Sequence, residues 1–401
     1  MQETIKYVVI GNGIAGLSAA QTIRKLDAQG SIKIISCEKY LTYYRVKLSH
    51  FISKNFQDEE LLVSKKQWYD ENQVHVELGV TVDGLDPQKK ELQLSSGKKV
   101  FYEQLLIATG SSPFVPPIAG RELAGVFALR TLEDLKNLQD YLKDCNTVTV
   151  IGGGLLGLEA AWAIKELGKS VNVLEFFPYL LPRQLDENIS KEFTKKLEEK
   201  GLNIYTNTAA EKILGEEKVT GLALKGGQEL QTDAVLFSAG IRPNLDLIKG
   251  LTIKADKGIH VDPHMKTNLE NVFAAGDVAE IDGNVLGLWN TAADQGKVAG
   301  ENMTGGTKTY HPSQLSTLLN IGGLSVFSIG NVQNFTDTIA DRDAEVHYKF
   351  YVTDGIITGG VVINDMAKIP KVKKAVNNKI SIAEALKTGK NHQEILKDLL
   401  Q

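Results

Sequence analysis

Cysteine is nearly absent: Cys37 and Cys145 are the only two in 401 residues, and they form no CxxC or CxxxxC spacing. Their scarcity excludes a disulfide scaffold and a cysteine-held metal cluster, and it fits a reducing cytoplasm. Cys37 then reads as a buried packing residue at a strand end. Basic residues are not in excess either. A net charge of −4 argues against general nucleic-acid binding, which needs a strong positive balance. No apolar run reaches the roughly 18 residues of a membrane span, and the first strand begins so early that no signal peptide is expected before it. What remains is the expectation of a soluble cytoplasmic protein, long enough for two or three domains with proper cores.

Glycine, by contrast, marks two stretches of one pattern. In mid-chain, Val150-Ile151-Gly152-Gly153-Gly154-Leu155-Leu156-Gly157 is followed by Glu175; near the start, Val9-Ile10-Gly11-Asn12-Gly13-Ile14-Ala15-Gly16 is followed by Glu38. Each GxGxxG follows a short β-rich run, residues 5–10 or 147–151, of the kind a buried parallel strand shows. Each then opens a helix, to about residue 28 or residue 167, and reaches a second strand, 32–36 or 170–174, just before the acid. The first glycine permits a tight turn, the second lets a pyrophosphate approach the backbone, and the third lets helix and strand pack closely. The helix N-terminus carries partial positive charge toward the phosphates, and the acid accepts hydrogen bonds from ribose hydroxyls. Two dinucleotide sites in one chain imply that one cofactor reduces another. The first glycines lie 141 residues apart, and Gly110 and Gly240, which close the two programmes, lie 130 apart. One domain has been duplicated on this reading.

Between these landmarks the sequence is less explicit. Tyr43-Tyr44-Arg45-Val46-Lys47-Leu48-Ser49-His50 reads as a polar, aromatic loop: either a solvated segment, or one in which Arg45 neutralises a pyrophosphate and Lys47 or His50 lies near a redox ring. Short β runs follow at 74–76, 81–82, 91–94 and 105–110, and Pro113, Pro116 and Pro117 mark a linker reaching to Thr147. A β-meander turning at Gly226-Gly227 leads to a strand over 235–240. In Val272-Phe273-Ala274-Ala275-Gly276-Asp277-Val278 an apolar strand delivers a carboxylate to the carboxyl edge of a sheet, where ligands bind in such folds; a structural cap is the plainer role for Asp277. Trp289 opens a helix to about Met303. From about residue 309 the chain becomes short β runs (324–329, 347–352, 360–363) and a lysine-rich helical tail. That tail, residues 366–401, carries a charge of +5. It reads as a solvated helix face or as a docking patch for an acidic partner.

The two fingerprints, the Ala108-Thr109-Gly110 strand end, and Gly276-Asp277 leading to Trp289-Asn290 together resemble the pyridine nucleotide–disulfide oxidoreductase superfamily in its FAD-plus-NAD form. The likeness covers about residues 5–305, with four motifs in the family's order. It implies an α/β fold of two Rossmann-like three-layer dinucleotide-binding domains plus a small α+β C-terminal domain. The FAD domain would comprise residues 1–115 and 243–306, the inserted NAD domain 116–242, and the C-terminal interface domain with its basic helical tail 307–401. Gly11, Gly13, Gly16 and Glu38 would hold the FAD phosphates and adenosine ribose. Arg45 would contact the pyrophosphate, Val82 the adenine through its backbone, and Asp277 the ribityl chain. Thr109, Gly110, Lys47 and Trp289 also fall in motifs at this cofactor. Gly152, Gly154, Gly157 and Glu175 would hold NAD, with Glu159 beside the nicotinamide and Arg130 near the flavin. The helix opened by Trp289 would turn its N-terminus toward negative charge on the reduced flavin.

Departures from the family sort its branches. Disulfide reductases and peroxidase-type NADH enzymes resemble this chain but need cysteine after the ribose acid, and residues 39–58 contain none. Ferredoxin reductases of oxygenase systems share the front end, with Arg45-Val46-Lys47-Leu48-Ser49 standing for their Arg-Pro-Pro-Leu-Ser. They carry a lysine opposite the Glu159 position where this chain has His50, and a Phe-Trp-Ser motif where it reads Ser316-Thr317-Leu318-Leu319-Asn320-Ile321-Gly322-Gly323. That last segment is similar to NADH:rubredoxin reductases and to the flavin-binding front of assimilatory nitrite reductases. The resemblance implies hydride transfer from NADH to flavin N5, then single electrons to a small iron carrier such as rubredoxin. Docking is expected at Lys371, Lys373 and Lys374, with no metal site and no catalytic base. The alternatives are an NADH oxidase or general NADH:acceptor reductase, and, from another class, a flavin-bound interaction protein resembling apoptosis-inducing factor.

Overall fold

Alternation along the first strand sets the layering of the N-terminal part. In Thr4–Ile10, Tyr7 and Val9 point into one apolar cluster and Val8 and Ile10 into another, and all four are buried. A strand buried on both faces requires cover on both, which is the parallel-sheet condition. The computed structural model, which describes residues 4–312, 314–342 and 346–401, meets it as follows. Thr4–Ile10 pairs in parallel with Ile32–Ser36 on one side and with Lys99–Ile107 on the other; Val74–Leu78 extends the sheet beyond Ile32–Ser36. The far edge of Lys99–Ile107 is shared. Its start takes the antiparallel meander Val82–Asp86 and Glu91–Leu94, and its end takes Val272–Ala274 in parallel. Helices Ile14–Leu26 and Trp289–Met303 cover one face, packed so closely that a Cβ on Gly296 would stand 2.2 Å from Ala15 O. The meander and residues 245–261 cover the other. The result is a three-layer arrangement.

Contacts divide the chain into two units. One is Met1–Lys47, Asn55–Phe114 and Gly240–Ser313; the other is Leu48–Lys54, Val115–Ala239 and Gln314–Gln401. The second unit repeats the layering around five parallel strands in the order Asn203–Tyr205, Ser170–Leu174, Thr147–Ile151, Ala234–Phe237, Val126–Ala128. Its meander, Ala210–Gly215, Val219–Leu224 and Glu229–Gln231, stands as a separate three-stranded sheet over an apolar cluster. The same unit holds a five-stranded antiparallel sheet, Ser316–Ile321, Leu324–Gly330, Ile356–Ile363, His347–Thr353, Asp337–Arg342. Val372, Ala375 and Val376 of helix Ile369–Asn377, and Ile395, Leu396 and Leu400 of helix His392–Leu400, close its inner face. Asp186 ties this sheet to helix Glu187–Glu199. Its carboxylate caps helix Glu187–Glu199 through Asn188 and Ile189 N–H, accepts the Tyr351 hydroxyl at 2.5 Å, and pairs with Lys349 at 2.9 Å. No helix among the described residues is long and apolar enough to cross a membrane.

Several local expectations are corrected. The first helix stops at Leu26, because the Asp27 carboxylate turns back to Lys6, Gln29 and Gly30. The 43–50 loop is instead a 3-10 turn, Arg45–Lys47, running into the helical turn Leu48–Phe51. The stretch read as a linker holds strand Val126–Ala128 and helix Leu132–Leu142, whose Thr131 and Asp134 form a reciprocal cap. Cys37 is exposed, since Ser36 is the last paired residue and no sheet reaches beyond it.

Candidate functional site

In the first unit the turn after Thr4–Ile10 is built by close approach. Gly11 has φ +108°, and a Cβ there would stand 2.1 Å from Ala108 O; one on Gly16 would stand 2.1 Å from Gly11 O. Gly13 differs, with nothing within 4 Å of its Cβ direction. It is also the N-cap of helix Ile14–Leu26 and offers that helix no side-chain cap. Beside it the Asn12 amide is buried with an unpartnered Nδ2 while its Oδ1 accepts from Thr42 at 2.7 Å. Open space, uncapped helix N–H groups and a donor amide without an acceptor fit a dinucleotide pyrophosphate.

Glu38, at the end of the second strand, is clamped by side chains. Its two oxygens accept from Arg45 Nη2 and the Tyr43 hydroxyl, each at 2.6 Å, and Arg45 Nη1 donates to that same hydroxyl at 2.8 Å. Burial works against the charge on Arg45, yet Tyr43, Glu38 and Asp277 outweigh it and hold the guanidinium above its usual pKa. Each Glu38 oxygen keeps a second lone pair for a ribose hydroxyl.

The remaining first-unit candidates surround related backbone. Thr109 and Asn244 exchange hydrogen bonds at 2.9 and 3.1 Å beside Gly110, which has φ +67°. Asp277 follows Gly276 and accepts from Ser111 Oγ at 2.8 Å. Trp289 lies against Tyr44, ring centroids 5.7 Å apart, and Lys47 Nζ lies 4.4 Å from the centroid of the same Tyr44 ring. Val82 is buried at the start of the meander, paired with Leu94.

The second unit repeats the turn closely. Gly152 has φ +121° with Ser238 O at 2.3 Å from its Cβ direction, Gly157 would meet Gly152 O at 1.9 Å, and Gly154 again opens on nothing within 4 Å. Gly154 N-caps helix Leu155–Glu166 without a side-chain cap. Glu175 is held differently from Glu38. It is buried, and its oxygens accept from the backbone N–H groups of Gly153 at 2.7 Å and Phe177 at 2.8 Å. No side-chain cation pairs with it among the described residues.

Glu159, one turn into that helix, accepts from Ser49 Oγ at 2.7 Å, and His50 Nε2 stands 3.6 Å from its other oxygen. Burial raises its pKa; the Ser49 hydrogen bond and the His50 charge oppose that rise. Glu159 and His50 line a cavity of about 430 Å³ with Trp162, Glu166 and the Gly322-Gly323 hairpin tip. Arg130 is half-buried ahead of helix Leu132–Leu142, its N–H donating to Asp134 at 3.0 Å. Sequence reasoning did not find Asn12, Tyr43 or Ser49. Their contacts join residues 5, 30 or 110 positions apart with no periodic signal.

Residues 5–296 match the family described as pyridine nucleotide-disulphide oxidoreductase, and residues 316–380 match the rubredoxin NAD+ reductase C-terminal domain. An NADH-rubredoxin oxidoreductase of Clostridium acetobutylicum is 33% identical over 380 residues, 94% of this chain and 95% of that protein. An NADH oxidase of Methanocaldococcus jannaschii is 30% identical over 387 residues, 91% and 86% of the two chains. The crystal structure of NADH:rubredoxin oxidoreductase from Clostridium acetobutylicum superposes with a TM-score of 0.84 at 30% identity, covering 99% of this chain and 100% of that one. On this evidence the chain belongs to the pyridine nucleotide-disulphide oxidoreductase family and is an oxidoreductase of its FAD- and NADH-using kind.

Proposed function

We propose that this flavoprotein passes electrons from NADH through FAD to a small iron-containing carrier of the rubredoxin type, in the cytoplasm. The observation that carries the reading is the pair of uncapped glycine turns, with no cysteine in residues 39–58 to divert the electrons into dithiol chemistry. In this reading residues 1–115 and 243–306 bind FAD, residues 116–242 bind NADH, and residues 307–401 form the interface domain. FAD, when bound, accepts a hydride and releases electrons singly. The chain positions and polarises. Gly13 and the first helix N-terminus receive the FAD pyrophosphate, with Arg45 adding a fixed positive charge, and Asp277 accepts from the ribityl hydroxyls. Gly154 and the second helix N-terminus receive the NADH pyrophosphate, and Glu175 holds its ribose.

The match of residues 316–380 to the rubredoxin NAD+ reductase C-terminal domain supports the acceptor class. The face of helix Ile369–Asn377 supports a docking place: Lys371, Lys373 and Lys374 are exposed while Val372, Ala375 and Val376 are buried. Charge reversal of the three lysines is expected to slow rubredoxin reduction at low salt and leave NADH-to-dye activity alone. A second reading, an NADH oxidase, is favoured by the Methanocaldococcus relative. Stopped-flow mixing of anaerobically NADH-reduced protein with oxidised rubredoxin separates the two. Fast rubredoxin reduction supports the proposal; no transfer, with quick recovery of the yellow colour in air, favours the oxidase.

A further inference from the structure

The middle residues of the two glycine turns are anchored in different ways. In the first turn Asn12 anchors itself, its Oδ1 accepting from Thr42 at 2.7 Å. In the second the same place is Gly153, which has no side chain to do this. Glycine loses more backbone freedom on ordering than any other residue, so three in a row have to be held from outside. The chain that follows Glu175 does so. Glu175 Oε2 accepts from Gly153 N–H at 2.7 Å, and Leu181 N–H donates to Gly153 O at 3.2 Å. Leu180 lies over the same residue, its Cδ2 2.4 Å from where a Gly153 Cβ would stand.

Leu181 is the strained member of this segment. It is fully buried with φ +52°, a left-handed backbone that suits a bulky side chain poorly. Such a conformation persists only where its surroundings over-determine it. Part of the hold is local: Leu181 O accepts from Gln184 and Leu185 N–H at 2.9 and 3.0 Å, and Leu180 O accepts from Ser190 Oγ at 2.6 Å. The rest comes from the antiparallel C-terminal sheet, which belongs to the same unit. Gln333, in the loop between strands Leu324–Gly330 and Asp337–Arg342, donates through Nε2 to Pro182 O at 2.6 Å and Leu185 O at 2.8 Å. Its Oε1 accepts from the Tyr179 hydroxyl at 3.3 Å. Asp186, the next residue of the segment, accepts the Tyr351 hydroxyl at 2.5 Å and pairs with Lys349.

We propose that Gln333 and Tyr351 are positioning residues for the NADH site: from the C-terminal sheet they hold residues 179–186 in the form that anchors Gly153. This rests on the assignment of the second turn to NADH. The two side chains act through Leu181 and the Gly153 carbonyl rather than on the dinucleotide itself. A tethered turn presents its N–H groups to a pyrophosphate already ordered, whereas a loosened one has to be ordered on binding, and affinity falls by that amount. The effect belongs to binding and not to hydride transfer. It also belongs to the adenosine diphosphate half of the dinucleotide and not to the nicotinamide.

The test uses the yellow holoprotein and its Gln333→Ala, Gln333→Met and Tyr351→Phe variants; methionine keeps the length of glutamine without its hydrogen bonds. ADP-ribose binding is measured by calorimetry. NADH and reduced nicotinamide mononucleotide, which lacks the adenosine half, are titrated by anaerobic flavin bleaching, with the rate followed to saturation. Each variant is expected to bind ADP-ribose and NADH about three- to tenfold more weakly. The bleaching rate at saturating NADH, the mononucleotide requirement and the flavin content should stay as in wild type. Unaltered ADP-ribose affinity in all three variants overturns the proposal, even where their melting temperatures fall, and leaves the contacts a structural tie. Wild-type binding by Gln333→Met beside a weakened Gln333→Ala also overturns it, as does an equal loss for the mononucleotide. If wild-type protein binds ADP-ribose yet NADH fails to bleach its flavin, the functional reading falls, and the positioning role is decided by the variants' ADP-ribose affinities alone.

Discussion

Gly11 and Gly152 share a left-handed backbone, each pressed against a carbonyl of the neighbouring strand end, and Gly13 and Gly154 each leave a helix N-terminus open. The two turns part company at their acids. Glu38 is held by a guanidinium and a phenol, which bring fixed positive charge and a rigid side-chain lattice to the first turn. Glu175 is held by backbone N–H groups alone, between a bare glycine turn and two exposed aromatic rings. The helices differ in the same sense. Ser18 and Glu159 occupy equivalent positions two residues after the third glycine. Ser18 is buried on the helix that packs against Trp289–Met303, whereas Glu159 faces Ser49, His50 and a cavity. In the proposed function one backbone frame serves two dinucleotides: a resident one beside a charged clamp, and a visiting one beside an acid held by backbone N–H groups.

If that contrast is right, mutations matched across the two turns have unmatched consequences. The largest effects belong to the first glycines. Gly11→Ala should cut flavin content at least roughly tenfold, while Gly152→Ala should keep its flavin and need roughly 100-fold more NADH for half-bleaching. Circular dichroism checks that both fold. Arg45→Ala comes next, because it removes the fixed positive charge beside the Glu38 carboxylate, which keeps only the Tyr43 hydroxyl. The flavin Kd should rise roughly 100-fold with the NADH requirement of the remaining holoprotein unchanged.

A smaller effect is expected at the second acid. Glu175 meets a 2′-phosphate with like charge, and Phe176-Phe177-Pro178 offers no arginine to offset it. NADH should therefore be preferred over NADPH by at least about tenfold, or about 1.4 kcal/mol, and Glu175→Gln should bring the two toward parity. Equal efficiency in wild-type protein would sink this part of the contrast. The smallest effect concerns Glu159. Burial raises its folded pKa above the unfolded value, so the native chain holds that proton more tightly and stability declines as pH rises through this range. Glu159→Gln should melt higher than wild type at pH 8 in thermal denaturation followed across pH. The gap should close as the pH falls below the ordinary glutamate range.

Both turns and their flanking strands were legible because buried parallel strands are unbroken apolar runs bounded by glycine. Thr147–Ile151, Ser170–Leu174 and Trp289–Met303 fall at the residues the pattern marks. Helix Leu132–Leu142 was hidden behind a proline-rich stretch, although its Thr131–Asp134 cap is a local signal that a closer reading would use. The clamp on Glu38 was not legible. Arg45 and Tyr43 lie seven and five residues from it, across a turn whose shape no periodicity encodes. The Ser49–Glu159 bond spans 110 residues and exists only in the folded chain. Exposure of Phe176 and Phe177 was equally invisible, because apolar residues after a strand read as core until the fold shows that nothing packs over them.

The central claim, that two near-identical turns take two different ligands, is tested most directly by counting. Released flavin is quantified per chain in the purified protein, and the same sample is titrated anaerobically with NADH while its visible absorption is recorded. One FAD per chain, bleached by one equivalent of NADH, is the predicted result. Two flavins per chain, or one that NADH does not bleach, would contradict the account.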